Sequence, residues 1–182
     1  MSKQRKVESD SSPEPSSSPE LDVVDRIVAQ WHRERPDIDV SGMEIIGRLG
    51  RLERVIRPKL DKVFAEHVLE SWEFDVLATL LRNGAPHQLT PGQLLDSMMI
   101  TSGAMTNRLD RLEARGLVKR SKSEHDGRQV VVTLTKKGLR KVDDALADHA
   151  ANELEILSSL DADDQAALVT LLRKLSLDLA AS

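Results

Sequence analysis

The sequence predicts a mainly α fold with a small antiparallel β wing. Apolar residues recur at helical spacing through most of the 182-residue chain. Residues 102–115 read as one more helix, and Gly116 stops it. Two short runs of strand-forming residues, 117–121 and 130–134, follow with a charged turn between them. A helix followed by a two-stranded basic hairpin is the order of a winged helix-turn-helix.

Charge is distributed unevenly along the chain. Residues 102–141 contain eleven Lys and Arg against four Asp and Glu, a local balance of +7 in a chain whose total is -4, so the remainder carries -11. A basic block in an acidic protein is typical of a surface that faces nucleic-acid phosphates. The four aromatic residues lie outside this block, which favours double-stranded DNA over single strands, whose bases need aromatic platforms.

Composition and motifs exclude several classes of protein. The chain has no Cys, which removes disulfides, thiolate metal sites and thiol redox sensing. Its five His have no metal-ligand spacing, so no metal or cofactor is expected. Phosphate loops, nucleophile elbows and a Ser-His-Asp order are absent, so we expect no enzyme. Without an apolar span or a secretory signal, the expected location is the cytoplasm.

The N-terminal third is predicted in three pieces. Residues 1–20, rich in Ser and Pro, are expected to form a disordered tail. Apolar residues at i, i+3, i+4 and i+7 predict an added N-terminal helix over 21–36. A capping box of Ser41 with Glu44 and a hydrophobic staple of Val40 with Ile45 predict a second helix that begins near residue 42 and is kinked at Pro58.

The DNA-binding region is predicted over 71–135. Ser71 is expected to cap a helix that ends at Asn83-Gly84. Thr90-Pro91-x-Gln93 predicts the start of a short helix, which a connection of about four residues joins to helix 102–115 as a helix-turn-helix.

Residues 41–70 and 136–182 are assigned to a helical dimerisation region. Apolar stripes run along two long helices, one from Lys136 and one from about Asp161. These stripes exceed what one small winged helix can bury, so the sequence predicts a homodimer, which suits a two-fold DNA site.

Two strings in the basic block resemble a known family. S-G-A-M-T-N-R-L-D-R-L-E-A-R-G-L-V at 102–118 and D-G-R-Q-V-V-V-T-L-T at 126–135 are similar to the recognition helix and wing of MarR-family transcription regulators. The likeness covers roughly 41–181. It implies a homodimer whose recognition helices enter adjacent major grooves while a wing Arg enters the minor groove. That role falls on Arg128, with Asp126 supporting the wing.

Further strings resemble the urate-responsive branch of that family. They are Q-W-H-R-E-R-P-D-I-D at 30–39, W-E-F-D-V-L-A-T-L-L-R at 72–82 and T-N-R at 106–108. In that branch the ligand signature is a Trp on the added helix, an Asp and an Arg before the helix-turn-helix, and an Arg on the recognition helix. The signature falls here on Trp31, Asp75, Arg82 and Arg108.

Each of these four residues also has a plain structural interpretation. Trp31 completes an apolar helix stripe, and Asp75 and Arg82 complement the dipole of their helix. However, Asp75, Thr79 and Arg82 share one polar stripe, and about 10.5 Å of helix axis separates its ends, which favours a third group between them. Arg108 has three interpretations: a DNA contact, a solvated cation or a partner of Asp75. The resemblance favours the third, in which urate would break an Asp75–Arg108 link.

DNA contacts are predicted on the polar side of helix 102–115 and at the wing. They are Ser102, Thr106, Asn107, Arg111 and Arg128. The alternative for the helix residues is an ordinary polar helix surface.

The sequence thus predicts a ligand-responsive DNA-binding transcription regulator, a repressor that urate releases from a palindromic operator. One alternative keeps the DNA-binding role with a different small anionic or aromatic ligand. A second is a winged-helix module for protein interaction without DNA, against which the +7 block argues.

Overall fold

The computed structural model describes residues 20–98, 102–123 and 128–181. It is mainly helical with a small three-stranded antiparallel sheet, which confirms the predicted fold class. The elements are α1 (Val23–Glu34), α2 (Gly42–Glu66), α3 (Ser71–Arg82), β1 (Gln88–Leu89), α4 (Pro91–Met98), α5 (Ser102–Ala114), β2 (Val118–Lys122), β3 (Val130–Leu134), α6 (Lys136–Ile156) and α7 (Ala162–Ala180). Apart from Glu20, the predicted tail lies outside the described residues.

The chain divides into two compact units, one up to Leu52 and one from Glu53 onward. In the first unit Asp22 caps α1, because its carboxylate accepts hydrogen bonds from the backbone N–H groups of Val24 and Asp25. Arg48 pairs with the same Asp22 at 3.0 Å.

The small core of the first unit consists of Val24, Val28 and Val40. The predicted staple is wrong, because Val40 packs in this core while the side chain of Ile45 is 62% exposed.

The second unit holds the main core. Its large, buried apolar side chains come from α3, α4, α5, the residue before β2, β3 and α6: Leu77, Leu80, Leu94, Met105, Leu109, Leu112, Leu117, Val132 and Val142. This packing fixes α5 against α3 and the sheet, and so determines which face of α5 is exposed.

The sheet has the order β1-β3-β2, with both pairs antiparallel. In the hairpin, Val118 lies opposite Leu134 and Lys122 opposite Val130. The sequence predicted these two strands but not β1, whose two residues pair with Val132 and Thr133.

Helix α7 contains no buried residue within the described chain. Leu171, Leu177 and Leu179 are each about two-thirds exposed. The leucine stripe predicted for this helix is therefore not buried by the described residues of a single protomer. Across the described ranges, none of the helices is long and apolar enough to cross a membrane.

Candidate nucleic-acid interface and effector cleft

Local capping and core packing together position the helix-turn-helix. The backbone N–H of Thr90 donates to Gln93 Oε1 at 2.8 Å, and the N–H of Gln93 donates to Thr90 Oγ1 at 3.2 Å. This reciprocal pair begins α4 as the sequence predicted. Leu94 on α4 and Leu109 on α5 are both fully or nearly fully buried, so the two helices share the core.

The face of α5 opposite the core is polar and exposed. Thr106, Asn107 and Arg111 lie on it, all predicted DNA contacts. Ser102 begins the helix, but its side chain lies outside the described residues. The geometry therefore presents three of the four predicted helix contacts to solvent.

Arg111 already has partners within the protein. Its Nη2 donates to Glu70 Oε1, and its guanidinium lies 4.7 Å from the centroid of the Trp72 ring. The guanidinium of Arg108 lies 5.5 Å from the same centroid. Two arginines of α5 thus meet one aromatic ring at the start of α3, a contact that is attractive for each cation.

Two further arginines of the basic block are paired with carboxylates. Arg120 on β2 contacts Asp110 at 2.6 Å and Glu113 at 2.7 Å, both on α5. The backbone N–H and guanidinium of Arg120 hold the pKa of Glu113 below its ordinary value. Arg115 pairs with Glu73. Asp110 and Glu113 are already counted in the local balance of +7, whereas Glu73 lies outside residues 102–141, so its pairing with Arg115 offsets part of that charge.

The wing carries exposed cations on β2 and just before β3. Lys119 and Lys122 lie on β2, and Arg128 lies two residues before β3. Arg128 is exposed, as its predicted DNA contact requires. Asp126, the predicted wing support, lies outside the described residues.

Asp75 and Arg82 line the same cleft, whose volume is about 260 Å³. Its lining consists of Phe74, Asp75, Ala78, Thr79, Arg82, Ser97 and Met98. Nη2 of Arg82 lies 3.4 Å from the backbone carbonyl oxygen of Ser97, near the end of α4. The hydroxyl of Thr79 donates to the backbone carbonyl of Asp75 at 2.7 Å, so it is engaged within its own helix.

Both burial and nearby positive charges affect the pKa of the Asp75 carboxyl. Burial raises its pKa above the ordinary 3.8, and the charges of Arg108, Arg57, the His149 side chain and Arg82 act in the opposite direction. Among the arginines, Arg108 has the largest of these effects. Within the described chain, neither Arg82 nor Arg108 forms an ion pair with Asp75, so the link from Asp75 to α5 is electrostatic and not a hydrogen bond.

Trp31 lies on α1, in the unit that ends at Leu52, and 43% of its surface is exposed. The buried residues of α1 are Val24 and Val28. Trp31 is therefore outside the small core of its unit, contrary to the structural interpretation of its apolar stripe.

The sequence did not reveal the carboxylates that hold α5 to the start of α3. Glu73 is 1% exposed, and one of its oxygens accepts hydrogen bonds from Arg115 and from the backbone N–H of Glu70. Arg115 also donates to the carbonyl of Val68 at 2.6 Å. The only available signal was the acidic first turn of α3, because a partner 42 residues away leaves no local pattern.

Known proteins resemble this chain over most of its length. A family model described as MarR family matches residues 69–129. The HTH-type transcriptional regulator PecS of Dickeya dadantii is 43% identical over 152 residues, which are 84% of this chain and 91% of that protein.

Solved structures give the same result. A MarR variant from E. coli complexed with operator DNA is similar with a TM-score of 0.60 and 29% identity, covering 76% of this chain and 99% of that one. BpsR of Bordetella bronchiseptica, whose DNA binding is regulated by 6-hydroxynicotinic acid, has a TM-score of 0.61 and 25% identity, covering 76% and 98%. These relatives are regulators of transcription, which confirms the prediction that the chain is not an enzyme. The chain belongs to the MarR family.

Proposed function

We propose that this MarR-type DNA-binding regulator is a dimeric repressor, which binds a palindromic operator and releases it when urate occupies the Asp75–Arg82 cleft. The proposal has three parts: a DNA-reading face on α5 and the wing, an anion-binding cleft beside α3, and a connection between them. As a regulator of chromosomal DNA, the protein would act in the cytoplasm.

The DNA-reading part rests on the exposed face of α5. Met105, Leu109 and Leu112 anchor the helix in the core, which leaves Thr106 and Asn107 directed outward. These side chains suit contacts with base edges or phosphates in a major groove. The structural likeness to a MarR variant crystallised with operator DNA supports the same docking here.

The cleft suits a small planar anion. A guanidinium can donate two parallel hydrogen bonds to a planar oxyanion. Arg82 provides such a guanidinium at the edge of the cleft of about 260 Å³. The resemblance to the urate-responsive branch assigns a stacking role to Trp31. Urate is a planar anion at neutral pH, so the cleft and its arginine match it in charge.

The connection between cleft and DNA carries the proposal. Asp75 lines the cleft, and Arg108, whose charge acts on Asp75, belongs to the DNA-reading helix. An anion beside Asp75 would repel that carboxylate and oppose the attraction of Arg108. The resulting shift of α5 would lower the affinity for the operator, because the two sites are then thermodynamically linked.

Isothermal titration calorimetry tests the anion clamp. Urate is titrated into the wild-type protein, the Arg82→Ala variant and, as a charge-matched control, the Arg140→Ala variant on the exposed side of α6. We expect Arg82→Ala to weaken urate binding at least about tenfold, since a charge-assisted bidentate contact is lost. Equal affinity in the wild type and Arg82→Ala would rule out Arg82 as the clamp.

A second effector class has support from one relative. The DNA binding of BpsR is regulated by 6-hydroxynicotinic acid, which is also a planar aromatic acid. Titration of this compound alongside urate distinguishes the two: the tighter ligand that also releases DNA is the effector. The DNA-binding role is the same in both cases.

A further inference from the structure

Glu70 lies immediately before α3 and joins this helix to the DNA-reading helix. Its Oε2 accepts a hydrogen bond from Trp72 Nε1 at 2.5 Å, and its Oε1 accepts one from Nη2 of Arg111 on α5. Glu70 and Arg111 are 41 residues apart in sequence. None of the roles assigned to the cleft or the wing uses this carboxylate.

The environment of Glu70 keeps it ionised. The hydrogen bonds from Trp72 and Arg111 hold the pKa of Glu70 below its ordinary value. The charge of Arg111 is thus matched by a full negative charge on one side and by the face of the Trp72 ring at 4.7 Å on the other. In the free protein this predicted DNA contact is electrostatically satisfied.

A DNA phosphate would compete with Glu70 for the same guanidinium. Carboxylates and phosphates both accept paired hydrogen bonds from Arg. The side chains of Arg111 and Glu70 are 51% and 54% exposed, so a phosphate can approach Arg111 from solvent. Exposed ion pairs of this kind are weak enough to be exchanged.

We propose that Glu70 is a specificity-determining residue, whose carboxylate occupies Arg111 in the free protein and must be displaced before Arg111 can contact DNA. Arbitrary duplex DNA offers phosphate contacts alone, so exchange of one ion pair for another yields little affinity. A site whose base edges also bind α5 supplies the additional free energy for the exchange. Glu70 therefore suppresses binding to non-specific DNA, an inference that rests on the proposed DNA-binding function.

The test compares wild type, Glu70→Gln and Glu53→Gln on a fluorescein-labelled duplex of arbitrary sequence, by anisotropy titrations over a range of salt concentrations. Gln at position 70 retains an acceptor for Trp72 but loses the charge that competes with phosphate. Glu53→Gln is the charge-matched control, because Glu53 forms an exposed pair with Arg57 on α2 at 3.5 Å.

We expect Glu70→Gln to bind this duplex several-fold more tightly than either reference protein at low salt. Its plot of log K against log salt should be steeper by about 0.9, the slope change for one additional phosphate contact. Affinity and slope equal to those of Glu53→Gln, or weaker binding, would overturn the inference.

Arg111→Gln and the double variant Glu70→Gln/Arg111→Gln identify the route. The gain from Glu70→Gln should vanish when Arg111 is absent. A gain that persists would mean that Glu70 acts through its general field, which contradicts the exchange. If wild type shows no salt-dependent duplex binding at all, the proposed function fails, and that outcome is distinct from a failure of Glu70 alone.

Glu70 precedes the first turn of α3, so thermal melting by circular dichroism accompanies each variant. Should Glu70→Gln not fold, Arg111→Gln carries the test by itself against Lys119→Gln. The side chain of Lys119 is exposed and has no ion-pair partner among the described residues. Arg111→Gln should reduce the salt slope less than Lys119→Gln does, and an equal or larger reduction would overturn the inference.

Discussion

Asp75 is a carboxyl group that folding makes harder to ionise. Burial raises its pKa above 3.8, and the charges of Arg108 and Arg57 offset this only in part. The native state therefore binds the Asp75 proton more tightly than the unfolded chain does. The tighter binding of this proton stabilises the fold fully below pH 3.8, and the stabilisation is lost as the pH rises through the raised native pKa of Asp75.

Asp75→Asn should therefore raise the melting temperature at neutral pH by a few degrees at most, because it removes a charge that burial disfavours. The difference from wild type should shrink as the pH falls to the ordinary Asp value. Melting curves across the pH range measure it, with the exposed Asp143→Asn on α6 as control. A wild type that is more stable than Asp75→Asn at neutral pH would show that the ionised carboxylate is net favourable.

Arg128 is an exposed cation that lies two residues before β3. Arg128→Ala should weaken binding to the promoter DNA that adjoins the gene by about 1 to 3 kcal/mol, because a groove contact is removed. Gel-shift titrations at fixed salt measure the change against Lys62→Ala, an exposed cation on α2. Unchanged binding in Arg128→Ala would defeat the wing assignment.

At this scale the sequence predicted the outer face of α5 and the polar stripe of α3, but not what their side chains contact. The polar stripe of Asp75, Thr79 and Arg82 does line one cleft. However, Thr79 is 3% exposed and bonded to its own helix, which an i, i+4, i+7 pattern does not disclose. Arg111 was predicted on the outer face of α5, yet its partner Glu70 is visible only in three dimensions.

Elements with local start signals were predicted well. The Thr90–Gln93 box begins α4, and Asp161 caps α7 by accepting a hydrogen bond from the N–H of Asp164 at 2.9 Å. Elements that depend on distant partners were not. Strand β1 exists through its pairing with β3 and was not predicted. Helix α3 begins at Ser71 with Glu70 as its N-cap, so the predicted Ser71 cap is wrong.

One helix junction has no room for an added methyl group. A Cβ on Gly138 of α6 would lie 2.0 Å from the backbone oxygen of Leu117. That oxygen accepts hydrogen bonds from the N–H of Thr135 at 3.1 Å and from its hydroxyl at 3.2 Å. The start of α6 therefore packs tightly against the backbone of Leu117. Neither segment can move away without a cost in free energy.

Gly138→Ala should destabilise the protein by about 1 to 3 kcal/mol or more, through overpacking against the backbone. Gly50→Ala is the matched control, since no atom lies within 4 Å of its added Cβ and it occupies the interior of α2. That control should be stabilising by about 0.5 to 1 kcal/mol. Urea unfolding curves compare them, and equal midpoints for the two variants would contradict the packing argument.

At the scale of the whole molecule, the exposed leucines of α7 favour an interface with a second protomer. Leu172 and Leu179 lie on one stripe of this helix and are 39% and 66% exposed. Burial of such a stripe is a large favourable term for association. The dimer is proposed from this surface and from the family relationship, and it would bring two copies of α5 to one operator.

The double variant Leu172→Glu/Leu179→Glu should sediment as a monomer and lose operator binding, because charges then replace the apolar stripe. Ala166→Glu/Thr170→Glu adds the same charge to the opposite side of α7 and should remain dimeric. Analytical ultracentrifugation distinguishes them. Identical sedimentation of the two variants would remove α7 from the interface.

An anion in the Asp75–Arg82 cleft is proposed to control DNA binding by α5. A gel shift on the promoter DNA adjoining the gene, with and without urate, tests it most directly when the Arg82→Ala variant is run in parallel. We predict that urate releases the wild-type protein from this DNA while the Arg82→Ala complex persists at the same urate concentration. A wild-type complex that urate leaves intact, or equal release of both proteins, would contradict the claim.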